Sequence, residues 1–448
     1  MKRTKRFLSM FLGLFFIISA MSVCFSAVAV SPTTNGSTGS VKFDYDKSTQ
    51  TLTVSGKGEI TDGEFSDSRF ADLSVKHLII KKGITKIGDY AFSRLEIENL
   101  VIPDGVTYIG ENAFAGCYKL LTVRIPKSVV KIGREAFAPV KKFVVASENQ
   151  KFSSDKLGCL YNKNKTVLIR YPSKSKTAKF SVPKTVNIIR DSAFKNAESL
   201  KSVTVPNSVK SIGKSAFAFC EKITDIKLSN KIKTIKEDTF FRCERLKSIT
   251  IPNSVTKISD SAFCDCIKLS EVKFSKNLKS IGSDAFSRCI SLKRIKFPAK
   301  LETISVAFWD CNLESVYIPA RVKHIDNRAF YCVKNIVVDK NNNYYSSDKY
   351  GCLYNKSKTK LIQYPGLNSR KSFTIPSTVK TISFCAFFQA INLETITVPK
   401  SVVKIDKTAF YWMNLKDVVY KGSKSDWKKI KIGEDNDSLY EAKITFGA

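Results

Sequence analysis

The residues that could most readily carry out chemistry in this sequence are its twelve cysteines and two histidines. A cysteine thiolate beside a histidine can act as a nucleophile, and cysteines a few residues apart can bind zinc. Only one residue separates Cys264 from Cys266, but no second pair follows at the spacing of zinc ligands. Because His77 and His324 are the only histidines, we expect no catalytic centre, no metal and no cofactor.

Most of the cysteines follow a repeat instead. The pair Ala-Phe, once Thr-Phe, recurs at steps of 22 or 23 residues, except for two steps of 57. Its phenylalanines are Phe92, Phe114, Phe137, Phe194, Phe217, Phe240, Phe263, Phe286, Phe308, Phe330, Phe387 and Phe410. The cysteines three residues after such a phenylalanine are Cys117, Cys220, Cys243, Cys266, Cys289 and Cys311. This period is typical of a solenoid, so we expect a column of small, buried thiols inside it.

The elements of one repeat can be read between residues 249 and 269. Ile249-Thr250-Ile251 alternates with period two and ends at Pro252, which predicts a short strand. The apolar residues from Ile258 onward have mixed spacings, which suits a second short strand or a helical turn. One coil cannot bury its apolar face alone. The predicted fold is therefore a solenoid of strand-rich coils of 22–23 residues with short helical or 3-10 turns.

Two insertions account for the long steps. They lie at about residues 150–172 and 343–365, and both contain Ser-Ser-Asp-Lys, then Gly-Cys-Leu-Tyr-Asn-Lys, and end in Tyr-Pro. This pattern predicts a β-hairpin with Leu160, Tyr161, Leu168 and Ile169 as the apolar residues of the first copy. Two interpretations remain open: an extended coil of the same solenoid, or a protruding hairpin that contacts a ligand.

The repeat unit carries a resemblance to a known family. The unit strand-Pro-x-Ser-Val-x-x-Ile-Gly-x-x-Ala-Phe-x-x-Cys-x-x-Leu resembles the BspA-type leucine-rich repeats of bacterial surface and secreted proteins, over residues 78–417. Residues 41–77 are similar to the N-terminal β cap of such proteins, and residues 418–448 to their C-terminal cap. The resemblance implies a leucine-rich-repeat solenoid and a role in attachment to host matrix proteins and in aggregation with other bacteria.

The first 29 residues predict a signal peptide. Four basic residues precede the apolar run 7–20, and Ala27-Val28-Ala29 supplies the small residues of a cleavage site. Residues 30–40 would then form a short linker. Because no later segment has about 20 consecutive apolar residues, we expect no transmembrane anchor. The expected location is secreted or associated with the bacterial cell surface.

Charge and register together suggest a binding surface. The net charge is +34, from 74 Lys and Arg against 40 Asp and Glu, which predicts attraction to anionic polymers. The outward strand positions two residues before each repeat proline, or before the serine that replaces it, align once per coil, and Arg294 lies in the neighbouring row two residues earlier. We expect the ligand surface to include Arg124, Thr204, Lys227, Thr250, Lys273, Arg294, Lys296 and Tyr317. The same composition would also suit a face that serves solubility alone. A second lysine row, which includes Lys233, Lys257 and Lys279, favours a solvated face.

These patterns leave three hypotheses about function. The first is an exported, non-enzymatic protein that binds an extracellular protein or glycan, possibly anionic, through its strand face. The second is a structural protein of the cell envelope, held by charge on anionic wall polymers. The third is a glycan-processing enzyme, although repeats and caps fill nearly the whole chain. Nucleic acid is not expected as a specific partner, because no aromatic residues interleave with the basic rows. The sequence predicts no oligomeric state.

Overall fold

Stacked coils build the whole described part of the chain. The computed structural model describes residues 35–38, 40–65, 73–137 and 139–447. Most coils contribute one short strand to each of two faces, and a third side is formed by turns. The predicted signal peptide, residues 1–29, lies outside the described residues, as does part of the predicted linker.

The strands are short because each coil crosses each face in only a few residues. In chain order they are β1 (Asn35–Thr38), β2 (Val41–Asp46), β3 (Thr51–Gly56), β4 (Gly58–Ile60), β5 (His77–Ile80), β6 (Ile84–Ile87), β7 (Asn99–Val101), β8 (Tyr108–Ile109), β9 (Thr122–Ile125), β10 (Lys131–Ile132), β11 (Lys142–Val145), β12 (Phe152–Ser154), β13 (Leu160–Asn162), β14 (Val167–Arg170), β15 (Lys179–Ser181), β16 (Ile188–Ile189), β17 (Ser202–Thr204), β18 (Ser211–Ile212), β19 (Asp225–Lys227), β20 (Thr234–Ile235), β21 (Ser248–Thr250), β22 (Lys257–Ile258), β23 (Glu271–Lys273), β24 (Ser280–Ile281), β25 (Thr303–Ile304), β26 (Val316–Ile318), β27 (His324–Ile325), β28 (Ile336–Val338), β29 (Tyr345–Ser347), β30 (Leu353–Asn355), β31 (Lys360–Gln363), β32 (Ser372–Thr374), β33 (Thr381–Ile382), β34 (Thr395–Val398), β35 (Lys404–Ile405), β36 (Asp417–Tyr420), β37 (Lys431–Ile432) and β38 (Lys443–Phe446).

Two faces of parallel strands run along the solenoid. The strand face, formed by the strands that precede the repeat prolines, includes the groups β15-β17-β19, β21-β23 and β32-β34-β36-β38. The second face is formed by the two-residue strands that end in isoleucine, such as β20-β22-β24-β25-β27. Along each strand, side chains alternate between the core and solvent, as in Ser248–Thr250, where only Ile249 is buried.

The third side of each coil, the turn side, differs from the predicted helical or 3-10 turn. The residue two positions before the repeat phenylalanine and the residue two positions after it both adopt left-handed backbone conformations. Around Phe240, these are Asp238 (φ 53°) and Arg242 (φ 55°). The backbone N–H groups of these three residues donate to carbonyls of the next coil, at 3.1, 2.8 and 2.8 Å. A helix would satisfy these donors internally, whereas this backbone uses them to join neighbouring coils.

The repeat phenylalanines form a stacked column inside the solenoid. From Phe194 to Phe286, neighbouring rings lie 4.7–5.4 Å apart with interplanar angles of 7–14°. The column has three segments, because no ring contact joins Phe137 to Tyr171 or Phe330 to Tyr364 among the described residues. Tyr171 and Tyr364 occupy the phenylalanine position in the insertion coils, and each stacks on the next repeat phenylalanine.

Both insertions lie within the stack as extended coils. In each, three antiparallel strands, β12-β13-β14 and β29-β30-β31, continue the second face, because β14 pairs in parallel with β16 and β31 with β33. Tyr161 and Tyr354 are fully buried, and their hydroxyls donate to Asp155 Oδ2 (2.9 Å) and Asp348 Oδ2 (2.8 Å). The hairpin side chains are therefore used for packing.

The two ends of the stack are covered differently. At the N-terminal end, β1, β2 and β3 form an antiparallel sheet, and β3 pairs in parallel with β5 of the first coils. At the other end, β38 pairs with β36, and two short helices, α1 (Lys424–Trp427) and α2 (Asp437–Glu441), pack nearby. Within the described ranges, no helix has the length and apolar character needed to cross a membrane.

Candidate binding surface

The predicted ligand residues on the strand face are pointed outward by strand alternation. Thr204 lies opposite Lys227, on β17 and β19, and Thr250 lies opposite Lys273, on β21 and β23. All four side chains are exposed. The apolar neighbours of these residues point inward into the core, which fixes the outward direction of the hydroxyl and ammonium groups.

The ladder of parallel strands that carries this row of side chains is interrupted near Lys296, and the sequence does not predict this interruption. Residues 295–298 form no strand, and Arg294 makes only an isolated bridge to Ser315. Lys296 and Tyr317 therefore continue the row without a regular ladder between them.

One predicted residue lies apart from the others. Arg124 is exposed on β9, which pairs only with β11 in a separate two-stranded sheet. The first insertion coil lies between this sheet and β15. The structure therefore brings together Thr204 with Lys227 and Thr250 with Lys273, whereas Arg124 belongs to a different part of the strand face.

The central lysines of the strand face differ electrostatically from many other cations of the chain. Across neighbouring coils, Lys214 pairs with Glu237 (2.7 Å) and Lys371 with Glu394 (2.6 Å). Among the described residues, Lys227, Lys273 and Lys296 have no carboxylate within ion-pair distance. Their charges are therefore available to an anionic ligand.

The remaining two predicted residues have partners. Arg294 is 88% exposed, and its Nε lies 3.5 Å from Glu314 Oε2. The Tyr317 hydroxyl donates to Asp339 Oδ2 at 2.7 Å, and this hydrogen bond raises the pKa of Tyr317. A ligand that used these two side chains would have to share them with acidic neighbours.

The cysteine column is buried, as the repeat predicts. Each of its six thiols donates to the carbonyl of a repeat phenylalanine in the preceding coil, as in Cys243 Sγ to Phe217 O and Cys266 Sγ to Phe240 O, both 3.2 Å. Burial raises the pKa of Cys117 and of Cys220 to about 12. All eleven cysteines in the described ranges are free thiols, and no cluster of metal-binding side chains lies there.

We expect these thiols to resist alkylation in the folded protein. A pKa raised from 9.0 to about 12 lowers the thiolate fraction about a thousandfold near neutral pH, and burial excludes the reagent as well. Mass spectrometry after a short iodoacetamide treatment should show the buried cysteines labelled only in urea, with the half-buried Cys264 and Cys332 reacting first. Rapid labelling of Cys243 or Cys266 in the native protein would contradict a packing role.

A second surface feature, on the turn side, was missed from the sequence. Near the second insertion, Arg328 lies over the rings of Trp309 and Phe384. These two rings belong to a group of six packed aromatic side chains, which we call the aromatic cluster: Trp309, Tyr331, Phe384, Phe388, Tyr411 and Trp412. Four of them directly follow a repeat phenylalanine: Trp309, Tyr331, Phe388 and Tyr411. An aromatic residue recurring at that position was a signal that could have identified this cluster.

The described geometry defines a class: a β-solenoid of leucine-rich-repeat type whose exposed faces, not its interior, are available to ligands. The chain belongs to the BspA-type leucine-rich repeat family, whose model matches residues 63–177, 170–278, 256–369 and 364–432. A comparison with curated proteins gave no match.

Several solved structures are similar in fold. A leucine-rich repeat protein from Eubacterium ventriosum is 21% identical, with 71% of this chain and 98% of that chain covered and a TM-score of 0.49. A leucine-rich cell surface protein from Faecalibacterium prausnitzii is 24% identical, with coverages of 60% and 95% and a TM-score of 0.44. The pneumococcal vaccine antigen PcpA is 16% identical, with coverages of 93% and 99% and a TM-score of 0.40.

Proposed function

We propose that this protein is an exported, non-enzymatic binding protein of the bacterial cell surface or its surroundings. In this proposal, the strand face recognises an extracellular protein or glycan that carries negative charge. The observation that supports it most directly is the row of Lys227, Lys273 and Lys296, which are exposed and lack acidic partners among the described residues. Family membership is consistent with a recognition role, because repeat solenoids commonly bind ligands on an extended face.

A row of unpaired charges has a specific consequence for the kind of ligand. From Thr204 to Lys273, hydroxyl and cationic groups alternate from coil to coil, and Lys296 adds a second lysine directly after Lys273. An extended anionic chain can contact several coils at once, which multiplies weak contacts through a high effective concentration. A small anion would gain only one such contact.

We expect reversal of these three charges to weaken binding. The purified protein should first be tested against matrix proteins and acidic glycans at low and physiological salt. For the tightest ligand, the combined Lys227→Glu, Lys273→Glu and Lys296→Glu variant should lose at least about tenfold in affinity, because three attractions become repulsions. Surface plasmon resonance would measure this loss and its dependence on salt.

The chain offers a control with the same net charge. Lys233, Lys257 and Lys279 lie on the second face or beside it, in the same coils as Lys227, Thr250 and Lys273, and all three are exposed. Their reversal to glutamate should change the affinity by less than about threefold. Equal losses in both variants would assign binding to overall charge and favour the alternative of an envelope protein held on anionic wall polymers. In that case, a high-salt wash should release the protein from cells.

A further inference from the structure

At each of the two insertions, the coils before and after the insertion coil come together on the turn side. The side chains that meet there differ between the two insertions. At the first insertion, the flanking coils meet directly: Glu135 Oε2 lies 2.7 Å from Lys195 Nζ, and Ser192 Oγ donates to Glu135 Oε1 at 2.8 Å. Burial alone would raise the pKa of Glu135, but these contacts with Lys195 and Ser192 lower it below the usual value. The carboxylate at this position is therefore fully partnered.

At the second insertion, the corresponding residues leave a cation without a partner. Adding 193 to the numbers of Glu135, Ser192 and Lys195 gives Arg328, Cys385 and Phe388. Neither Cys385 nor Phe388 supplies a negative charge to pair with Arg328. In the described part of the chain, Arg328 Nε is buried without a hydrogen-bond acceptor, and its guanidinium has no carboxylate partner.

Two aromatic rings lie against this arginine instead. The guanidinium carbon lies 5.7 Å from the centre of the Trp309 ring and 5.8 Å from that of Phe384. Beside them, the rings of Phe388, Tyr411 and Trp412 are nearly parallel, with centres 5.6–6.2 Å apart and interplanar angles of 13–21°. Trp309, Tyr411 and Trp412 are partly exposed, so the cluster presents flat apolar surface next to a cation.

We propose that Arg328 and the aromatic cluster form a second binding site, separate from the strand face, for a carboxylated sugar such as a uronic acid. The planar guanidinium matches a carboxylate in charge and geometry, and a ligand carboxylate would supply the negative partner that the guanidinium lacks among the described residues. The apolar C–H face of a sugar ring would pack on the flat aromatic surface. Such a site would bind one acidic sugar unit, whereas the strand face is suited to an extended polymer.

Tryptophan fluorescence provides a direct test, because Trp309 and Trp412 lie in the cluster and the third tryptophan, Trp427, is in α1. The full-length secreted protein should be titrated with trigalacturonate, with the neutral sugar maltotriose, and with the acidic peptide acetyl-triglutamate. We expect a saturable change in emission with trigalacturonate only. An absent response, or an equal response to maltotriose or to the peptide, would overturn the proposal.

Variants assign the response to Arg328. Arg328→Gln should weaken the response to trigalacturonate about tenfold or more, because a charge-assisted contact is lost. Arg242→Gln is a matched control: Arg242 also lies over a ring, that of Phe219 at 5.6 Å, but pairs with Glu244 at 3.1 Å. An unchanged affinity in a folded Arg328→Gln variant, checked by circular dichroism, would also overturn the site. The triple strand-face variant should bind trigalacturonate normally, so the two proposals can fail independently.

Discussion

Replacing Phe263 by alanine should lower the free energy of unfolding by about 3 to 5 kcal/mol. The ring is fully buried in the middle of the stacked column, with the rings of Phe240 and Phe286 each 5.1 Å away. Neighbouring coils are held by hydrogen bonds on both sides, so the cavity cannot collapse easily. Urea denaturation followed by far-ultraviolet circular dichroism would measure the loss.

A neighbouring phenylalanine provides the control. Phe241 directly follows a repeat phenylalanine on the turn side, is half-buried, and contacts Phe219 edge-on at 5.3 Å. Phe241→Ala removes the same chemical group and should cost only about 1 kcal/mol. If the two variants lost equal stability, the column of stacked rings would not be the main source of cohesion between coils.

The second large effect is expected from one buried amide. Asn149 is fully buried and makes four hydrogen bonds: its Nδ2 donates to Pro126 O (2.8 Å) and Val129 O (3.0 Å), and its Oδ1 accepts from the N–H groups of Lys151 (2.9 Å) and Phe152 (2.7 Å). Asn149→Ala leaves Val129 O and the N–H groups of Lys151 and Phe152 without the amide, whereas Pro126 O keeps the N–H of Val129 at 3.4 Å. Because each buried orphan costs about 1 to 3 kcal/mol and water can reach some of them, we expect a total loss of about 3 to 4 kcal/mol.

The chain contains its own replicate of this experiment. Asn342 makes the same four bonds at the second insertion, to Pro319 O, Val322 O and the N–H groups of Tyr344 and Tyr345, at 2.8–2.9 Å. Asn342→Ala should therefore lose a similar amount in the same urea experiment. Asn207 is exposed and accepts one bond, so Asn207→Ala should lose less than about 1 kcal/mol. A small loss at both buried positions would show that solvent replaces the amide.

The sequence predicted the parts of the fold that depend on the period. Phe263 and Cys266 recur in phase with their counterparts, so their burial in two columns followed from the step length alone. The strand that ends at Pro252 followed from alternation and from the missing proline N–H. These predictions were confirmed because neighbouring coils repeat the same packing, which makes one coil informative about the rest.

The turn side could not be predicted in the same way. Asp238 and Arg242 have left-handed backbones without being glycine, and a local pattern of apolar residues at mixed spacings does not distinguish them from a helical turn. Their conformation is imposed by hydrogen bonds to the following coil. The place of Tyr171 in the phenylalanine column was also not predicted, although it lies 23 residues before Phe194, because the repeat was defined by its phenylalanines alone.

In the candidate sites too, some features could be predicted from the sequence and others could not. The outward direction of Lys227 and Lys273 was predictable from strand alternation, but their lack of acidic partners depends on side chains in other coils. The interruption of the ladder beside Lys296 has no signal in the strand pattern, because residues 294–298 alternate and end at a proline as the other strands do. The environment of Arg328 brings together residues on both sides of an insertion, as its contact with Phe384 shows, and a linear pattern does not show that proximity.

The direction of the turn-side hydrogen bonds bears on how the chain acquires its structure. Each of these bonds closes a loop of about one coil, as between Phe240 N and Ala262 O, so these contacts between coils are local in sequence. The N–H groups point toward the coil made next, which leaves a row of open donors on every finished coil. Because synthesis proceeds from the N-terminus, the antiparallel sheet of β1, β2 and β3 is available first as a template. Each later coil can then be added to the one before it, so the order of assembly follows the order of translation.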